Sequence, residues 1–220
     1  MRQKTSLGLL HKRNFAERQP MKSLLTRDQA IKAIYIDFEG FVKEPPALIG
    51  VLVEDHFYQI LLDSRYAGAA DYKDTMPVEE GKVFIERLQR QSIEEDRKIV
   101  AFSVLERDQC LRWYGTDISE QYVNAKQVAG RWARKVKPEV RCRTLKDFEM
   151  LTGFERSKDT GFKKNTSCLS AALRDLSRYG RLQNIAPKRH WTNLRKHNRQ
   201  DVEATRHIVL ATFAARDLAI

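Results

Sequence analysis

The stretch Ile34-Tyr35-Ile36-Asp37-Phe38-Glu39-Gly40-Phe41 limits what this chain can become more than any other. A β-branched and aromatic run of this length reads as a buried strand, here ending in two acids one residue apart. Positions i and i+2 of a strand project to the same face, so Asp37 and Glu39 stand side by side while Phe38 turns into a core. Burying two like charges without a partner costs roughly several kcal/mol. A positive group therefore belongs between them, either a basic side chain or a divalent metal. The plain alternative is a strand end whose carboxylates are solvated or salt-bridged.

With 220 residues the chain fits one domain with appendages and is long enough to bury a core. Lys and Arg number 40 against 29 Asp and Glu, giving net charge +11 and a pI near 9.7. Such an excess points to a polyanionic partner, nucleic acid before anionic membrane. Cys110, Cys142 and Cys168 are far apart, with neither zinc spacing nor a disulfide framework, which suits a reducing compartment. No apolar run approaches the roughly 18 residues needed to span a bilayer, and Met1 to Pro20 lack the apolar core of a secretory signal. The expectation is a soluble, cytoplasmic protein without membrane contact: a basic arm over residues 1–30, then a single domain over 31–220.

Ala33–Phe38 reads as the first strand, and Ala47–Glu54 and Phe57–Leu62 read as a hairpin turning at Glu54-Asp55-His56. Val83, Phe84, Leu88 and Ile93 recur at roughly helical spacing, Lys98–Ser103 is a short fourth strand, and Leu105–Tyr114 is helical. A helix follows from Ser119 to Val136, and a short one over Thr144–Leu151 is capped by Thr144 and ended by Gly153. Residues 154–165 form a basic loop, Ser167–Tyr179 is helical, and a last helix runs from Trp191 to Asp217 after Pro187. The fold class is α/β with a small mixed sheet.

Two further stretches carry acids. In Lys196-His197-Asn198-Arg199-Gln200-Asp201, His197 and Asp201 are one helical turn apart on one face. The carboxylate suits a hard metal, and the imidazole suits taking a proton from a water; an ordinary helical ion pair is the alternative. At the corner Ala101-Phe102-Ser103-Val104-Leu105-Glu106-Arg107-Asp108 a strand gives way to a helix with two acids in its first turn, which the helix dipole favours in any case.

Taken in order, the strand with Asp-x-Glu, the corner with Glu106 and the helix with His197-x-x-x-Asp201 resemble the DEDD exonucleases of the RNase H-like superfamily. The likeness is greatest to the branch of predicted RecB-type or RNase H-like nucleases, and it covers residues 31–212. It implies an RNase H-like mixed sheet, a β-hairpin plus parallel strands, flanked by helices. It also implies a two-metal phosphodiesterase, a 3′–5′ exonuclease on DNA or RNA. Asp37, Glu39, Glu106 and Asp201 would be the ligands of two Mg²⁺ or Mn²⁺ ions, with His197 orienting or deprotonating the attacking water. The chain departs from the family in having Glu106 where Asp is commoner, Leu105 before it, and His197 where the Tyr-x-x-x-Asp branch has Tyr. These departures keep open a non-catalytic nucleic-acid-binding domain on the same fold.

Basic residues fit a nucleic-acid partner. Arg131, Arg134, Lys135, Lys137, Arg141, Arg143 and Lys146 form one set. Lys163, Lys164, Lys188, Arg189, Arg195, Lys196 and Arg199 form another, which the sequence order brings toward the acids. Both would neutralise phosphates without reading base sequence. Trp191 is the candidate for stacking on a base, with Phe162 a further one, whereas Trp132 lies on an apolar stripe and reads as core. Asp147 reads as helical surface.

Overall fold

The computed structural model describes residues 24–73, 75–157 and 165–217. Strands β1 (Ile34–Glu39), β2 (Leu48–Val53) and β3 (His56–Leu61) form an antiparallel meander. The β2–β3 hairpin closes through Glu54 in the left-handed conformation, φ 56°. A 3-10 turn (Ser64–Ala69) and α2 (Gly81–Glu94) carry the chain to β4 (Ile99–Ala101), which pairs parallel with β1. Helix α3 (Leu105–Tyr114) then leads to β5 (Tyr122–Asn124), parallel to β4. The strand order is β3-β2-β1-β4-β5, so the protein is α/β with a five-stranded mixed sheet flanked by helices. No helix among the described residues is long and apolar enough to cross a membrane.

The stretch expected as one helix from Ser119 is divided into β5 and α4 (Ala125–Val136). Val123 pairs with Val100 in the sheet, and the Asn124 side chain accepts from the Gln127 N–H to cap the helix that follows. Helix α5 (Leu145–Thr152) is capped by Thr144 and ends at Gly153 (φ 73°), and Asp147 closes its capping box. Asp147 Oδ2 accepts from the backbone N–H of Arg143 and of Thr144, 2.8 Å each, which holds its carboxyl below the usual range. After α6 (Asn165–Tyr179) comes α7 (Ile185–Asp217), which begins before Pro187. Proline fits there because the first turn leaves N–H groups unpaired within the helix anyway.

Side-chain alternation along β1 decides what covers each face. Ile34, Ile36 and Phe38 pack with Phe84, Ile85 and Leu88 of α2 and Cys110 of α3; Val83 and Ile93, expected on that stripe, are exposed. Tyr35 faces the other side, among Val128 of α4 and Val202 and Val209 of α7. Leu48 and Leu61 continue that side against Leu169 of α6 and Trp191 and Leu194 of α7. A short helix α1 (Arg27–Lys32) precedes β1, and Leu25 and Ala30 are buried in the same core. The packed unit therefore reaches back into residues 1–30; the rest of the expected arm, 1–23, lies outside the described residues.

Candidate functional site

Asp37 and Glu39 lie on the β1 face that α7 crosses, continuing the side set by Tyr35. In register, Asp37 stands opposite Gly50 of β2, and Gly50 opposite Gln59 of β3. Asn198 of α7, fully buried, sits on this row. A Cβ on Gly50 would fall 2.2 Å from Asn198 Oδ1, so the missing side chain is what lets the helix come this close. Asn198 Nδ2 donates to both the backbone oxygen and Oδ2 of Asp37, 2.9 Å each, while its Oδ1 accepts from Gln59 Nε2 at 2.9 Å. Asn198 thereby fixes the Asp37 carboxylate.

Glu39 is buried, and its Oε2 accepts from Asn165 Nδ2 of α6 at 2.7 Å. Its Oε1 is also buried and has no hydrogen-bond partner. Glu106 is buried in the first turn of α3 and accepts at Oε2 from Ser103 Oγ, 3.1 Å. The Tyr122 hydroxyl of β5 donates to the Ser103 carbonyl and steadies this corner. Asp108, the other acid of the turn, is exposed and pairs with Arg107.

Asp201 meets Arg156, a residue the sequence pattern does not single out. Arg156 Nη2 lies 2.6 Å from Asp201 Oδ1 and 2.5 Å from Glu149 Oε1, and Glu149 is itself buried on α5. Arg156 Nη1 also reaches His197 Nδ1 at 3.1 Å, while His197 Nε2 is 3.6 Å from Asp201 Oδ2. A guanidinium only donates, so in this contact Nδ1 accepts and the ring proton sits on Nε2, toward Asp201.

The structure brings the four acids of three distant stretches into one electrostatic environment. The Asp37 carboxyl is pushed well above its ordinary range by burial and by the charges of Asp201, Glu39 and Glu106, against the Asn198 hydrogen bond. Burial and the charge of Asp201 push Glu39 up to about 8, opposed by Asn165. Burial also raises Glu106, against its hydrogen bonds, and raises Asp201, against the guanidinium of Arg156. Yet among the described residues no group of three or more His, Cys, Asp or Glu side chains is set so that it could hold a metal ion. Each acid is instead held by a different protein donor: Asn198, Asn165, Ser103 and Arg156.

The basic residues do not all gather here. Arg195, Lys196 and Arg199 lie on the other flank of α7 and line a cleft with Phe57, Tyr58 and Gln59 of β3. Lys188 and Arg189 line a smaller cleft beside it, and Arg143 is exposed in the α4–α5 connection. Lys163, Lys164 and Phe162 lie outside the described residues. Trp191 is no stacking platform for bases: it is completely buried, with its ring stacked on Tyr66 at 5.7 Å. The spacing Trp191, Leu194, Asn198, Val202 gives the reason, since these positions share the helix stripe that faces the sheet. Trp132 is buried with Phe148 and Ile208.

Asn198 and Glu149 resemble a solvated helix face in sequence, Arg156 and Asn165 fall in the stretch read as a basic loop, and Gln59 is an ordinary polar residue of a hairpin strand. A usable signal did exist in Gly50, a lone glycine inside the apolar run Leu48-Ile49-Gly50-Val51-Leu52, which marks close approach of another element. Comparison with protein-family models, with curated proteins and with solved structures returns no match.

Proposed function

We propose that the protein is a metal-dependent phosphodiesterase of RNase H-like fold, a 3′–5′ exonuclease acting on DNA or RNA. One observation carries the reading: Asp37, Glu39, Glu106 and Asp201 come from β1, α3 and α7, and each of the other three raises the Asp37 carboxyl through its charge. A meander followed by two parallel strands, in the order β3-β2-β1-β4-β5, supports the fold assignment.

The donor chemistry, though not the present placement of the side chains, suits a hard divalent cation, Mg²⁺ or Mn²⁺. All four groups offer carboxylate oxygens, Glu39 Oε1 is buried without a partner, and mutual repulsion is what a cation relieves. Asp37, Glu39, Glu106 and Asp201 would hold it. When bound, such a cation supplies Lewis acidity to the attacking water and the leaving oxygen of a phosphodiester. The rest belongs to the chain. Asn198 orients Asp37, Asn165 orients Glu39, and Ser103 orients Glu106. His197 takes up the proton of the attacking water at Nδ1 once Arg156 withdraws from that nitrogen.

A second reading, a nucleic-acid-binding domain without hydrolysis, is favoured by the ion pair of Arg156 with Asp201, which already supplies a positive charge to the site. End-labelled single-stranded DNA and RNA incubated with Mn²⁺, Mg²⁺ or EDTA separate the two. The nuclease reading expects metal-dependent trimming that Asp201→Asn lowers by at least about 100-fold. Binding without cleavage under every condition selects the second reading.

A further inference from the structure

The cleft between β3 and α7 has a volume of about 500 Å³, within the range of small-ligand sites. Among its described lining residues Lys73, Arg195, Lys196 and Arg199 are cationic and none is acidic. Lys73 is held in the left-handed conformation, φ 74°, which a non-glycine residue adopts at a cost. Rings accompany the charges. The Arg199 guanidinium lies 5.2 Å from the centre of the Phe57 ring, and the ammonium groups of Lys73 and Lys188 each lie 5.8 Å from that of Tyr72. A smaller cleft shares Lys73 and Thr192 and extends the strip past Lys188 and Arg189.

The floor of this cleft is joined to the acidic site. Arg195 Nε donates to Gln59 Oε1 at 3.1 Å, and Gln59 Nε2 donates to Asn198 Oδ1 at 2.9 Å. Asn198 Nδ2 then donates to Asp37 Oδ2 at 2.9 Å. Arg195, Gln59 and Asn198 thus run in series beneath α7, from the basic flank to the acidic one.

We propose that the β3–α7 cleft is a phosphate-binding subsite for a nucleotide unit, separate from the acidic site and linked to Asp37 through Arg195, Gln59 and Asn198. Cations on flexible stems take the phosphate, and Phe57, on the α7 side of β3, offers a ring to the base. The nucleotide identity of the ligand rests on the nuclease reading; the binding of phosphate does not. Gln59 is a positioning residue in this scheme.

The test is fluorescence anisotropy of the full chain with a 3′-labelled, 5′-phosphorylated oligothymidylate of about twelve nucleotides, in EDTA so that hydrolysis plays no part. Lys196→Gln with Arg199→Gln is expected to weaken binding by at least about tenfold and to reduce the slope of log K against log salt by about 0.7 per cation in contact. Lys73→Asn, which keeps a residue suited to the left-handed conformation, is expected to weaken it in the same direction. Lys82→Gln with Arg90→Gln, both exposed on α2, is the matched control and should retain affinity within about twofold. Competition then identifies the source. Displacement by adenosine monophosphate assigns a free nucleotide, and resistance to it assigns a strand. Equal losses in the cleft and α2 variants, or no loss in the cleft variants, overturn the subsite. Because the assay contains no metal, a failed cleavage assay with intact cleft binding overturns only the nuclease reading.

Discussion

Arg156 is the side chain on which the charge balance of the acidic site turns. It is the positive group that the sequence placed between buried acids, but it serves Asp201 and Glu149 rather than Asp37 and Glu39. Removing one partner of a largely buried ion pair leaves the other charges uncompensated, which costs on the order of 3 kcal/mol. Arg156→Met is therefore expected to lower the metal-free melting temperature markedly. If the acids accept a divalent cation, Mn²⁺ should recover much of that loss, because binding to the folded state alone stabilises it. Thermal melts of wild type and variant in EDTA and in Mn²⁺ measure both effects. The same loss with and without Mn²⁺ would mean that Arg156 has a structural role only. The variant also removes the Arg156 donor from His197 Nδ1, so the pH profile of any hydrolysis should change with it.

Elements whose residues alternate or repeat cleanly were legible in the sequence, and those defined by cross-chain pairing were not. The hairpin over 48–61 and the helix Leu105–Tyr114 follow from local pattern, because β-branched runs, a turn and a helical period each act within a few residues. The three-residue β5 has no such signature; its strand character comes from pairing with β4, and helical composition continues through it. Asp37 and Glu39 were legible for a related reason, since a charge at the end of an apolar strand stands out, whereas Glu106 and Asp201 stood out only through their order along the chain. Their neutral holders were not, because Asn198 owes its role to the register that puts Asp37, Gly50 and Gln59 in one row. That docking yields a prediction about α7 as a unit. Gly50→Ala places a methyl group 2.2 Å from Asn198 Oδ1 and 2.9 Å from its Cγ, in a fully buried position. The helix must lift or Asn198 must leave Asp37. Overpacking of this kind costs about 1–3 kcal/mol. Urea unfolding should show a lower midpoint for Gly50→Ala, and an unchanged midpoint would mean that α7 does not rest on this row.

For the whole molecule, the acidic site ties stability to pH in a direction opposite to that of surface carboxylates. Asp117 and Asp147 have carboxyls held below the usual range by hydrogen bonds, so what they contribute is lost only as pH falls through the acid region. Glu39 has the opposite sign. Its carboxyl is raised from the usual 4.5 to about 8, so between those values the folded chain holds a proton that the unfolded chain has released. Its contribution is complete below about pH 4.5 and is lost as pH rises through 8, with Asp37, Glu106 and Asp201 shifted in the same direction. The limiting slope is about 1.4 kcal/mol per pH unit for each group titrating in that window. Falling net positive charge works weakly the other way, because the chain carries +11 at neutral pH. In EDTA the melting temperature is therefore expected to be highest near pH 5 and to decline toward pH 8. A divalent cation should reverse the decline, since it competes with protons for the same oxygens and gains as they leave. Glu39→Gln isolates the cause: it removes the titrating group while keeping an acceptor oxygen for Asn165 Nδ2. That variant should show a visibly flatter decline between pH 5 and 8 in EDTA. A wild-type slope retained in Glu39→Gln would place the pH dependence outside the acidic site.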